Sequence, residues 1–309
     1  MSRRWIVFAL FLAVFAMRVH AQASQTWVAS SGNDDNLCTR TLPCRTFVAA
    51  IARTAMGGRV DALDAADFGP INDDANGRPG IAKSITIDGG AAQAAITFST
   101  TAGVKIEITN PADVEKHVIL RNLRIKGLGN GPAGISVLGA RQVELEGVSI
   151  EGGGSGIDID IPSPISVALR RCTILNNTAG GITSNASPSI APVQLSVIDS
   201  LVAFNGTGIN LVQNSSLVLS GSAVSANSGN GLVVAAGCVA HVDSSALTFN
   251  GVAAIDNSGG ARISASEITY NSRAFRGTAA IETHSNNAIV DNNGAGIGLP
   301  KPPVKVGLQ

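Results

Sequence analysis

The chain has 309 residues, with 22 basic and 22 acidic side chains, 45% hydrophobic residues, 4% aromatic residues and 35 glycines. That apolar content excludes a disordered chain, and the charge balance lacks the basic surplus expected of a nucleic-acid binder. Abundant Gly, Asn, Ser and Val with few aromatics predicts an all-β protein of many short strands joined by tight turns.

In chain order, Ser2-Arg3-Arg4 precedes an unbroken apolar run from Trp5 to Met17 and the small-residue pattern Val19-His20-Ala21. This is the pattern of a secretory signal peptide over residues 1–21, with an apolar run too short to span a bilayer. Its removal takes Arg3, Arg4 and Arg18 and no acidic residue, leaving a net charge of −3. The expected location is extracytoplasmic, periplasmic or secreted, with no membrane span after processing and no nucleic-acid partner. In an oxidising compartment Cys38 and Cys44, six positions apart, are expected to form a local disulfide. Cys172 and Cys238 are expected inside apolar strands at different repeat registers and read as small core residues. His117, His241 and His284 are scattered singly, so no metal site is expected.

Residues 22–82 read as an N-terminal cap. Pro43 to Met56 places Phe47, Ile51 and Ala55 on one helical face and ends at Gly57-Gly58, a glycine stop. Such a helix would cover the open end of whatever sheet follows. Asn72-Asp73-Asp74-Ala75-Asn76-Gly77 imitates the first half of a calcium loop, but position 12 holds Lys83 in place of Glu. Arg59 to Leu63 and Ser84 to Gly90 read as strands, the latter the first clear coil.

Residues 83–298 repeat. Aliphatic residues precede an Asn or Gly by three at positions 153, 177, 205, 227, 250 and 271, spaced 24, 28, 22, 23 and 21 apart, and Val290 with Asn293 continues the series. A second signature, a small residue then an aliphatic one, follows each anchor: Gly134-Ile135, Gly156-Ile157, Gly181-Ile182, Gly208-Ile209, Gly231-Leu232, Ala254-Ile255, Ala280-Ile281 and Gly296-Ile297. A period of this length means a solenoid or propeller. Period-2 alternation within each unit, as in Ile157-Asp158-Ile159-Asp160-Ile161, predicts a right-handed parallel β-helix of three short strands per coil. Asn177, Asn205, Asn227, Asn250 and Asn271 then fall at one corner of successive coils, where their amides can form a hydrogen-bonded ladder and where Asn tolerates a left-handed backbone. The Pro-rich tail, residues 299–309, reads as the end of the fold.

The residues Trp27-Val28-Ala29-Ser30-Ser31-Gly32-Asn33-Asp34, Pro43-Cys44-Arg45-Thr46-Phe47 and Lys83-Ser84-Ile85-Thr86-Ile87 resemble the start of secreted right-handed parallel β-helix repeat proteins of the pectin-lyase-like superfamily. The resemblance implies the fold. It leaves activity open, because that superfamily holds lyases, hydrolases, esterases, epimerases, adhesins and members of unknown role. Arg124-Ile125-Lys126 spells a motif of polygalacturonases, but the Asn-Thr-Asp and Gly-His-Gly elements of those enzymes do not precede it. A strand with outward Arg and Lys around an inward Ile is the expectation there.

The candidate catalytic residues are Asp158 and Asp160. With the isoleucines inward, both carboxylates face out about 6.5 Å apart, near the spacing of an inverting glycosidase pair. Aligning the second signature places Ser136, Asp158, Thr183, Asn210, Val233, Asp256 and Glu282 in one exposed column that suits sugar hydroxyls. No cofactor is expected, calcium on the acidic face being the one alternative. The expected activity is a carbohydrate-binding or surface-interaction solenoid whose partner is a polysaccharide or cell-surface component. The alternative is a polysaccharide hydrolase or lyase using the outward carboxylates.

Overall fold

The computed structural model describes residues 22–73, 77, 79–91, 93–129, 131–186, 192–284, 286–293 and 304–305. The expected signal peptide and the Gly296-Ile297 signature lie outside them. The chain winds as a parallel solenoid whose strands stack into sheets of twelve, nine and eight strands. One coil shows the plan. Gln142–Glu146, Ser149–Glu151 and Ser155–Ile161 belong in turn to the first, second and third sheet, and Ile165–Arg170 then returns beside Gln142–Glu146.

Alternation decides which side chains enter. Val143, Leu145, Ile150, Ile157 and Ile159 are buried, while their neighbours face out. Register is kept from coil to coil, so Ile125, Ile150, Ile174, Val202, Val224, Leu247 and Ile268 form one continuous inner row. Each such side chain contributes roughly 1.5–3 kcal/mol by leaving water. Ile125 is fully buried between exposed Arg124 and Lys126, as expected of that triplet, and Arg124 pairs with Glu151 at 3.1 Å.

The corner between the second and third sheets carries the asparagine ladder. Asn177, Asn205, Asn227 and Asn250 each donate from Nδ2 to the Oδ1 of the Asn one coil on, at 2.9, 3.2, 2.9 and 2.9 Å. The same Oδ1 also accepts the preceding coil's backbone N–H, as Asn227 does from Asn205 at 3.0 Å. The series ends on Asn292, which Asn271 reaches at 3.0 Å, and not on Asn293. The ladder asparagines are also not the left-handed residues of the corner. That conformation falls one position earlier, on Gly152, Asn176, Phe204, Ala226, Phe249, Tyr270 and Asp291. Asn205-Gly206-Thr207 matches the glycosylation sequon, and burial of Asn205 in the ladder, 2% exposed, removes that match from use.

A second ladder went unpredicted. At the corner between the first and second sheets the backbone N–H groups of Cys172, Ser200, Ser222 and Ser245 donate to the hydroxyls of Ser200, Ser222, Ser245 and Ser266 at 3.0–3.2 Å. Ser266 donates on to Asn287. Cys172 and Cys238 are buried free thiols in connecting turns, and burial pushes the Cys172 thiol up to about 11.

The glycine of the small–aliphatic signature is required by close approach. A Cβ on Gly208 would stand 2.3 Å from the carbonyl oxygen of Gly231 and 2.9 Å from the Asn227 amide nitrogen. Alanine, as at Ala254, is the largest residue this row carries before Ile255.

At the N-terminal end the helix is shorter than its periodicity predicts, Phe47–Arg53, with Thr46 as N-cap accepting from the Ala49 N–H. Thr54 already has extended backbone, and Thr54–Ala62 is a strand that includes Gly57 and Gly58. Pairing with Ala23–Val28 and Ile85–Asp88 outweighs the helical signal of Ala55 and Met56. Phe47 packs edge-to-face on Phe68 at 5.2 Å beneath the first coil, and Cys38–Cys44 form the expected disulfide. At the other end, Val304–Lys305 pair with Ile281–Thr283, so the tail adds a last strand to the first sheet.

The ladder yields a graded stability prediction. Asn227→Ala orphans the buried Asn205 backbone N–H and leaves the Asn205 amide with only its bond to the Ile174 carbonyl, and should cost about 3 kcal/mol. Asn292→Ala, at the half-buried last rung, should cost about 1 kcal/mol. Urea titration of both variants measures the difference, and equal losses would remove the ladder as a burial-dependent clamp.

Candidate functional site

The outer face of the third sheet holds the predicted column, with one loss and two additions. Register places Lys105, Ser136, Asp158, Thr183, Asn210, Val233, Asp256 and Arg276 at equivalent positions of successive coils. Glu282 is not among them. It lies on the strand Ile281–Thr283 of the first sheet, where it pairs with Arg262. The true continuation after Ala254-Ile255 is Ala274-Phe275, because Phe275 stacks on Ile255. Phe275 is 1% exposed and fills the place of an aliphatic residue.

The ends of this column are neutralised. Lys105 donates to Asp73 at 2.8 Å and pairs with Glu107 at 2.9 Å. The Lys105 ammonium holds the Asp73 carboxyl below the usual carboxylate range. Asp73, the residue that made the segment look like a calcium loop, is therefore committed to a lysine and to the Gly80 N–H. Asp256 accepts from the Asn230 amide at 3.4 Å and faces Arg276 at 3.6 Å.

The middle of the column is different. Ser136, Asp158, Thr183 and Asn210 offer hydroxyl, carboxyl, hydroxyl and carboxamide in sequence, one per coil, at the inter-strand spacing of about 4.8 Å. Asp158 is half-buried, and its carboxyl is pushed up first by burial and second by the charge of Asp160. Asp160 is exposed and accepts from the Asn185 amide at 3.3 Å. The register neighbours of the two carboxylates are Ser136 and Thr183 for Asp158 and Asn185 for Asp160. No Lys, Arg or His stands beside the pair in this register, and no group of three His, Cys, Asp or Glu able to hold a metal occurs among the described residues.

Two surface grooves lie elsewhere. One, of about 700 Å³, follows the serine-ladder corner past Arg171, Ser200, Ser222 and Ser245. The other, of about 600 Å³, lies on the first sheet over Val218 and Val239, with His241, Arg262 and Glu282 at its side. Asp158 and Asp160 line neither. A third feature is an outer row of aromatics at the asparagine corner, whose residues directly precede the Asn anchors in the sequence. Phe204, Phe249 and Tyr270 are 62%, 60% and 54% exposed, and Phe249 and Tyr270 stack at 5.0 Å with ring planes 9° apart.

Residues 82–216 match the sequence family described as "Right handed beta helix region". No curated protein matches the chain in sequence. Among solved structures, a pectate lyase, Pel9A, superposes with a TM-score of 0.51 at 16% identity, covering 84% of this chain and 68% of its own. A rhamnogalacturonan lyase gives 0.44 at 13% identity, over 80% of this chain and 76% of its own. A lacto-N-biosidase from Eubacterium ramulus gives 0.43 at 13%, over 92% and 67%. At these identities the likeness is one of fold. The chain has the architecture of a right-handed parallel β-helix, and no helix among its described residues is long and apolar enough to cross a membrane.

The electrostatics of Asp158 make a pH prediction. A carboxyl whose folded value lies above its unfolded value favours folding at low pH and loses that contribution as pH rises through the folded value. Asp158→Asn should therefore raise Tm at pH 7 and leave it unchanged at pH 3, where the wild-type group is already protonated. A lower Tm for the variant at pH 7 would show that the ionised Asp158 is a stabilising group.

Proposed function

We propose that this right-handed parallel β-helix is an exported carbohydrate-binding or surface-interaction solenoid, holding a polysaccharide or other cell-surface glycan on the outer face of its third sheet. The observation that carries this reading is the run Ser136, Asp158, Thr183 and Asn210, in which uncharged hydrogen-bonding groups surround a single carboxyl in strict register. A linear polymer of hydroxyl-bearing units can meet such a row at several coils at once. Weak contacts then add through repetition. Residues 1–21 carry the export pattern that would deliver the protein to such a ligand.

A second reading, hydrolysis or elimination on a polysaccharide, draws support from the unequal environments of Asp158 and Asp160, the arrangement by which paired carboxylates divide acid and base roles. The absence of a basic side chain in register beside them weighs against elimination, which builds negative charge on the uronate and needs a cation to stabilise it; hydrolysis through an oxocarbenium-like transition state makes no such demand.

A broad screen of neutral and uronate polysaccharides separates the two. The expected result is retention of at least one polymer by the wild type, a tenfold or greater loss for Asp158→Ala with Asp160→Ala, and no new reducing ends or unsaturated uronates. Product formation that the double substitution abolishes would establish the enzyme. Neither retention nor product would overturn both readings.

A further inference from the structure

The left-handed corner residues form an outward column of their own. Backbone bonds from Asn176, Phe204, Ala226, Phe249 and Tyr270 to the next coil's Ala203, Ser225, Thr248, Thr269 and Asp291 show that these residues are equivalent and one coil apart. Three of them are aromatic, all with φ of 56–57° and all more than half exposed. Bulky side chains rarely adopt this conformation, which Gly and Asn take readily. Aromatics at three such positions are therefore not what the turn itself selects.

Phe249 and Tyr270, on adjacent coils, are stacked at 5.0 Å. Phe204 and Phe249 are two coils apart, about 10 Å at the inter-strand spacing, and the position between them is Ala226. One ring position thus lies empty between Phe204 and the stacked pair Phe249 and Tyr270. The gap is floored by a methyl group and walled by Phe204 and Phe249. A ring placed in it would lie about 5 Å from each wall, within the range of stacked centroids. At its lip, the half-buried Ser225 and Thr248 directly precede Ala226 and Phe249, and their hydroxyls have no hydrogen-bond partner among the described residues.

We infer that the gap over Ala226 is a binding slot for one pyranose ring of a glycan. The two phenyl rings cover the apolar C–H faces of the sugar, and the Ser225 and Thr248 hydroxyls meet its peripheral hydroxyls. A sugar ring has this division, apolar on its faces and polar at its perimeter. A simple aromatic ring has the faces without the perimeter. This deepens the glycan-binding reading and rests on it. The slot lies at the edge where each coil turns into the third sheet, since Phe204 is followed by the strand Thr207–Gln213 that carries Asn210.

The test uses tetrasaccharides of neutral hexose and of uronate as probes, with binding by calorimetry and Tm for each variant. Ala226→Phe is the informative change, because its backbone already accepts aromatics one coil on either side. It should complete the stack, leave Tm equal or higher, and abolish binding of the tetrasaccharide that the wild type holds. Phe204→Ala and Phe249→Ala should each weaken binding at least tenfold. Binding by Ala226→Phe within twofold of wild type overturns the slot, and if Asp158→Ala with Asp160→Ala then loses binding, the glycan reading on the third sheet stands without it. Wild-type failure to bind any probe overturns both. Wild-type binding of 4-nitrophenol, blocked by Ala226→Phe, with no sugar bound, overturns the pyranose assignment.

Discussion

Every part of this molecule depends on one constraint, that a parallel coil can be satisfied only by the coils above and below it. Parallel strands leave their backbone groups pointing along the solenoid axis, and a turn that breaks the ladder leaves buried N–H groups with no partner unless a side chain supplies one. The asparagine ladder answers this at one corner, where each Oδ1 accepts both a backbone N–H and an amide from the preceding coil. The serine ladder answers it at another with a smaller side chain. Both are built by repeating one residue type at one phase, so stability is shared between neighbours and the ends are the weakest coils. The helix Phe47–Arg53 and the bridges from Asp67, Ile71 and Ile81 to the first strands of the second and third sheets close the N-terminal end.

What the chain shows before folding is whatever the stacking repeats. The period, the inward aliphatic rows, five of the ladder asparagines and the glycine before Ile209 are legible because each recurs at a fixed phase and substitution there is penalised by a neighbour's carbonyl. The serine ladder recurs just as regularly, five residues before each asparagine at 200, 222, 245 and 266. It escaped notice because serine is common in turns and signals little by itself. Asn292 and Asn293 look alike because two adjacent aliphatic residues, Ile289 and Val290, each stand three positions before one of them; register pairs Ile289 with Ile268, which makes Asn292 the rung that the Asn271 amide reaches. The misplacement of Glu282 has a similar cause. Ala280-Ile281 satisfies the small–aliphatic pattern on the first sheet, and Ala274-Phe275 satisfies the packing requirement on the third.

The candidate site was less legible because outward positions are not compelled by the fold. Asp158 and Asp160 were found by alternation alone, and alternation cannot tell a functional face from a solvated one. What the structure adds is context. Asp158 is half-buried among hydroxyls, Asp160 is exposed beside an amide, and the charged ends of the column are already paired. A face whose cations are engaged at its margins and absent from its centre is suited to polyol recognition more than to charge stabilisation.

The corner that carries the asparagines separates two tasks that are usually mixed in one turn. The inward residue holds the coils together, and the left-handed residue before it is free to vary, taking Gly, Asn, Phe, Ala, Phe, Tyr and Asp along the solenoid. Freedom of that kind should drift toward Gly and Asn, for which the conformation is nearly strain-free, since other side chains lose about 1–2 kcal/mol there. Stacking of Phe249 on Tyr270 offsets part of that loss, because such a pair contributes about 0.5–1.5 kcal/mol beyond burial. Phe204 has no such compensation. Its neighbours in the column are Asn176 and Ala226, it makes no ring contact among the described residues, and it is the most exposed of the three. A strained, exposed and unstacked phenylalanine is not explained by folding, and the proposed glycan slot supplies the constraint that would account for it.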